Sequence, residues 1–91
     1  MPDQKSKAAA ELFDRVGRAL AGDAPDWQHH LADWLQVRRD TVRDWRNGRM
    51  EPRPHVWADL LSLIADRRTD LAKVEAEVRA WLAHRLGDDR T

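Results

Sequence analysis

The chain contains no cysteine. A disulfide framework and a thiolate metal site are therefore excluded, which fits a reducing, cytoplasmic setting. Long apolar runs are missing as well. The longest extend over a few residues, far short of the roughly 20 that span a bilayer. The N-terminal MPDQKSKAAAELFDR lacks the apolar core of a signal peptide. The four glycines are scattered, so there is no glycine-rich phosphate loop. Net charge is absent too, since 16 Lys and Arg balance 16 Asp and Glu. Nucleic-acid-binding domains more often carry a basic excess. At 91 residues the chain has room for one domain with a single modest core.

What is present is apolar residues at helical spacing. Residues 1–5 read as a flexible start. Ser6 to Ala21 reads as a first helix, with Ala9, Leu12, Phe13, Val16 and Leu20 on one face. Gly17 interrupts its propensity, and its small size permits a close helix contact. Gly22 suits the helix end, and Asp26 suits the N-cap of a second helix over Trp27 to Leu35. Leu31, the small Ala32 and Leu35 share one face of that helix. After a joint at Gln36 and Val37, a third short helix runs from Arg38 or Arg39 to Arg46, with Val42 and Trp45 inward. Asn47-Gly48 stops it, one of the two supplying a left-handed residue. Two short amphipathic helices joined this tightly predict a helix-turn-helix over residues 27–47.

A fourth helix is expected from Pro54 to Asp66, with Val56, Trp57, Leu60, Leu61 and Ile64 inward. A fifth is expected over residues 69–86, ended by Gly87, with 87–91 a flexible tail. No proline or glycine separates the two, so one continuous rod is the alternative. We expect a break at Arg68-Thr69-Asp70 with Thr69 as N-cap, because a rod would leave the small motif little to pack against. The stripe Leu71, Val74, Val78, Trp81 and Leu82 either forms a two-fold dimer interface or packs on the first helix.

The charge is unevenly placed. Residues 36–53 hold six arginines (38, 39, 43, 46, 49 and 53) against Asp40, Asp44 and Glu51, a net of +3. The remainder holds ten basic and thirteen acidic residues, a net of −3. Every basic residue of that segment is arginine, whose planar fork suits bidentate contacts to guanine or phosphate. A helix with such an outer face fits the DNA major groove. Arg38, Arg39 and Arg43 are the base-reading candidates. Asp40 and Asp44 orient them or accept from cytosine. Arg46, Arg49 and Arg53, with Thr41 and Asn47, are candidates for the phosphate backbone, and Trp27 or His29 could join them. The competing reading is a solvated helix laced with ion pairs such as Asp40–Arg43.

The run Gln28-x-x-Leu31-Ala32-x-x-Leu35-x-Val37, followed by Thr41-Val42-x-x-Trp45-x-x-Gly48-x-x-x-Pro52, resembles the phage-repressor and Cro-like (XRE-type) helix-turn-helix family. The resemblance covers roughly residues 9–66. It implies an all-α, lambda-repressor-like domain of four to five helices that binds double-stranded DNA as a small dimeric transcriptional repressor, without a cofactor. It further implies an inverted-repeat operator with half-sites about one helical turn apart and a cytoplasmic, nucleoid-associated protein. Gln28 would contact the DNA backbone and brace the recognition helix, and Trp45 would be core. The chain departs from the pattern twice. Gln36 stands where the family's turn usually has glycine, and Arg38 where the N-cap is usually serine or threonine.

Other chemistry has little to stand on. His29, His30, His55 and His84 form no His-x-x-x-His pair, and Ser6 and Ser62 have no partner pattern for nucleophilic work. No metal, membrane or small-molecule ligand is indicated. The five tryptophans sit mostly at core spacing: Trp45 and Trp57 inward, Trp27 over the first helix's end, Trp34 half exposed, Trp81 on the last stripe. That favours packing over base stacking on a single strand. The rival to a DNA-binding regulator is a protein-interaction module, such as a phage or defence-system accessory protein, that keeps the fold without reading DNA.

Overall fold

A computed structural model describes residues 4–89, which form four α-helices in the order α1 (Gln4–Ala21), α2 (Trp27–Leu35), α3 (Arg39–Arg46) and α4 (Pro54–Asp89). The all-α class is as expected, and no strand occurs among the described residues. Among the described residues no helix is long and apolar enough to cross a membrane. Of the expected flexible ends, residues 1–3, 90 and 91 lie outside the described residues, whereas 4, 5 and 87–89 are helical.

Phe13 is the centre of the core. Its ring meets Trp45 edge-on at 5.6 Å, Trp57 edge-on at 6.4 Å and Trp27 at 6.4 Å. Leu20, Leu31, Ala32, Val42, Val56 and Leu60 complete the buried cluster, with Val16, Leu35, Val37 and Ile64 packed at its edge. The near-absence of side chain at Ala32 and Gly17 lets the helices approach. A Cβ on Gly17 would overlap the ring of Trp27, which packs directly against α1 at this point. Two positions expected to face inward do not. Leu12 is 44% exposed and Leu61 66% exposed. Each fits the helical spacing but sits at the rim of a stripe narrower than the spacing allows.

The joint between α2 and α3 follows from backbone chemistry. Gln36 is left-handed (φ 57°, ψ 45°), the one non-glycine residue with positive φ among those described. The Val37 N–H donates to Ala32 O at 3.0 Å and the Gln36 N–H to Asp33 O at 3.2 Å. This is a Schellman ending, and Val37 supplies its apolar contact. The same pair closes α3: Arg49 N–H to Asp44 O at 2.9 Å and Gly48 N–H to Trp45 O at 3.2 Å, with Gly48 at φ 77°. Gly48 rather than Asn47 is thus the left-handed residue. A side chain in that region costs roughly 1 kcal/mol. Gln36→Gly is therefore expected to raise the thermal midpoint by about 4 °C, as measured by circular dichroism.

Two helices start without a side-chain cap, the first against expectation and the second in keeping with it. Asp26 makes no side-chain cap, because its backbone (φ −94°, ψ 13°) is not the extended form that aims a carboxylate at the first-turn amides. Its carboxylate instead meets His30 Nε2 at 3.1 Å, one turn on. Arg38 has the extended backbone of an N-cap (φ −75°, ψ 148°) but no oxygen to accept with, so α3 also begins without a side-chain cap.

The expected break at residues 68–70 is absent. α4 is one helix of 36 residues, about 54 Å long at 1.5 Å per residue. Thr69 does not cap; its hydroxyl donates to Ala65 O at 3.0 Å within the helix. Gly87 does not end it either. Residues 65–71 hold no helix breaker, and a break would leave eight unpaired backbone groups to satisfy. The packing objection to a rod fails because α1, α2 and α3 enclose the core with the first half of α4 alone. The second half projects as an arm, so the molecule measures 68 × 24 × 24 Å.

Candidate functional site

α3 is held by Val42 and Trp45, both buried, and everything on its far side is charged. Arg38, Arg39, Asp40 and Arg43 are exposed together there, whereas Thr41 and Asp44 are half-buried at its edges. The carboxylates are spaced so that each engages an arginine. Asp40 Oδ1 lies 3.1 Å from Arg43 Nη2, one turn along the helix, as an ion pair. Asp44 Oδ1 lies 3.7 Å from Arg49, in the loop that follows. Asp40, Arg43 and Arg49 are exposed and Asp44 is half-buried, so solvent screens both pairs and neither contributes much to stability. They set a carboxylate beside each guanidinium group. Arg38, Arg39 and Arg53 form no ion pair among the described residues, and all three are exposed.

Arg46 and Asn47 fall on another side. The Arg46 Nε donates to Asp14 Oδ1 at 3.4 Å, and Asp14 also accepts from Arg18 Nε at 2.9 Å. Together with Lys7, Arg15 and Gly48 these residues line an open hollow of about 690 Å³ between α1 and the end of α3. Asp14 and Arg18 were not among the candidates read from the sequence. The contact from Asp14 to Arg46 spans 32 residues, and no local pattern announces it. Arg18 is bonded first by Asp23 and then by Asp14, which raises its pKa above the ordinary arginine value. Since arginine is already cationic at any ordinary pH, this changes no protonation state.

The remaining candidates divide cleanly. Gln28 is half-buried in the first turn of α2, and His29 beside it is exposed. Trp27, one of the possible backbone contacts, is fully buried beneath α1 and is inaccessible to any ligand. Trp34 is 39% exposed, with the His30 ring stacked on it at 6.0 Å and the Arg67 guanidinium over it at 5.1 Å. The stripe of α4 is not packed on α1: Leu71, Val74, Val78, Trp81 and Leu82 are 52–61% exposed. Among the described residues no three His, Asp or Glu side chains come together as a metal site. No protein-family model, no curated protein and no solved structure matches the chain.

Proposed function

We propose that this protein is a sequence-specific double-stranded DNA-binding transcriptional regulator of the phage-repressor and Cro-like (XRE-type) kind, acting as a homodimeric repressor on an inverted repeat. The observation that carries this reading is the outer face of α3. Arg39 and Arg43 stand exposed on the side opposite Val42 and Trp45, on a short helix joined to α2 by a tight left-handed turn. The positive excess of an otherwise neutral chain is confined to this helix and the loop after it. Arg39 and Arg43 read bases, Arg43 aimed by Asp40. Arg38 enters beside them, and Arg49 and Arg53 contact phosphate with Gln28 and Thr41. Arg46 and Asn47, turned towards α1, take the flanking backbone.

Selection from random duplex DNA tests this directly. The expected outcome is a two-fold symmetric site, shifted in a gel where a scrambled duplex is not. If the dimer neutralises about six phosphates, log affinity falls against log salt with a slope near −5. A slope near zero, or a pool with no enriched site, favours the protein-interaction module instead.

The dimer is assigned to the arm of α4. A projecting helix with no tertiary contact is marginal in water, and this one carries large apolar side chains more than half exposed. Val78→Glu with Trp81→Glu should leave the globular part folded, because neither residue touches the core, while the unpartnered arm frays and the helical signal falls in part. The double variant should yield monomers by sedimentation and weaken operator binding sharply. A variant that remains dimeric places the interface elsewhere.

A further inference from the structure

We infer that two copies pair through their α4 arms in antiparallel order, each arm ending in the apolar hollow between α1 and α4 of the other copy. This rests on the homodimer reading above and adds the orientation and the second contact surface to it.

The apolar face of α4 is continuous with the core. Leu60 and Ile64 pack into the globular part, and the spacing continues through Arg67, Leu71, Val74, Val78 and Trp81 in steps of three and four. The exposed stripe is therefore the extension of the core face, left uncovered beyond residue 67. Two hollows at the base of the arm agree with this alignment. Leu71 lines one with Leu12, Val16 and Ile64, and lines the other, with Val74, beside Leu20 and Trp34. Whatever covers the stripe lies on the same side as α1 and α2.

That geometry discriminates between the two ways of pairing. Helices in contact run 8–10 Å apart. A parallel partner would bring its own α1 and α2 to the same end and the same side, into space that α1 and α2 already fill. An antiparallel partner sends its globular part to the far end. With Leu71 opposite Trp81 of the second copy and Val74 opposite Val78, the apolar segment is its own complement about a point near Ala76. Residues 71–86 supply about 24 Å of helix for this. In that register Leu82 and Leu86 of each copy arrive beside Arg67 and Arg68 of the other. Those arginines rim the hollow floored by Ile64 and Leu71, with Leu12 and Val16 as its α1 wall. Leu12, exposed for no reason within one copy, and Leu86, 52% exposed at the arm's end, are thereby covered. Asp70 and His84 of the other copy fall side by side along one flank.

The chain has no cysteine, so introduced thiols report without background. Asp70→Cys and His84→Cys are made separately, mixed, and treated with a short bismaleimide. The expected product joins Cys at 70 to Cys at 84 of another copy, with little linkage when either variant is treated alone. In parallel order those positions lie about 21 Å apart along the axis, and like would join to like; that result overturns the orientation and leaves the dimer. Sedimentation of the unmodified chain as a monomer overturns both. As a second arm, Leu12→Glu is expected to raise the dimer dissociation constant at least about tenfold. An unchanged constant refutes the hollow as part of the interface.

Discussion

Replacing Gly17 by alanine is expected to lower the thermal midpoint by about 10 °C, although alanine is the better helix former. The position is helical, so the backbone accepts either residue, and alanine alone would add up to about 1 kcal/mol of helix stability. The added methyl, however, overlaps the six-membered ring of Trp27. That ring cannot retreat. It is fully buried, stacked beneath α1 and in contact with Phe13 at 6.4 Å. Overpacking of this kind costs typically about 1–3 kcal/mol and occasionally more. A rigid neighbour puts Gly17 at the upper end, for a net loss of about 2 kcal/mol, which in a domain of this size corresponds to the stated shift. Gly87→Ala is the internal control. Nothing lies within 4 Å of a Cβ there, so the midpoint should hold or rise slightly. A Gly17→Ala variant at least as stable as the parent would show that Trp27 does not cross α1 at this point.

Gly17 also shows what a sequence makes legible. The spacing of apolar residues and the turn residues locates α1, α2 and α3, and the need for a small residue at a helix contact is readable at Gly17 and Ala32. Which ring fills the space is not, because it depends on how steeply two helices cross. The left-handed residue at Gln36 follows from the resemblance alone, which sets Gln36 where the family's turn usually has glycine; its own side chain argues against that backbone. The length of α4 is misread for an instructive reason. Local chemistry over residues 65–71 favours continuing the helix, and the expected break came from a tertiary argument about what the motif needs to pack against. Three aromatic rings around Phe13 meet that need without the arm.

The candidate site divides along the same line. The outward arginines of α3 follow from a 3.6-residue period with Val42 and Trp45 inward, so Arg38, Arg39 and Arg43 are found where the period puts them. Asp40, three residues before Arg43, is equally local. The partners of Arg46 and Arg49 are not. Asp14 reaches Arg46 only because α1 lies against α3, and Asp44 reaches Arg49 only because Gly48 reverses the chain. These pairs give Arg46 and Arg49 carboxylate partners, whereas Arg38 and Arg39 have none among the described residues. A uniform basic patch thus becomes a two-part surface, with free arginines at the start of α3 and tethered ones at its end.

Arg39→Ala combined with Arg43→Ala is expected to weaken operator binding by about 1000-fold while leaving the fold untouched. A bidentate pairing of arginine with guanine carries about 1–3 kcal/mol of discrimination. The double variant removes four such pairings from a dimer, at least about 4 kcal/mol, which converts to the stated factor. Neither side chain contributes to the core, and the Asp40–Arg43 pair is too exposed to matter for stability. The helical signal and thermal midpoint should therefore match the parent. Arg53→Ala separates reading from holding. It should weaken binding to operator and scrambled duplex alike and reduce the salt slope by about two per dimer, one for each phosphate no longer neutralised. Asp40→Ala separates aiming from charge. It makes the face more positive, so non-specific binding should tighten, while the preference for the operator falls because Arg43 loses the carboxylate 3.1 Å from it. If instead the double variant binds as the parent does, α3 is not the reading helix, and the arginine face is only the solvated exterior of the fold.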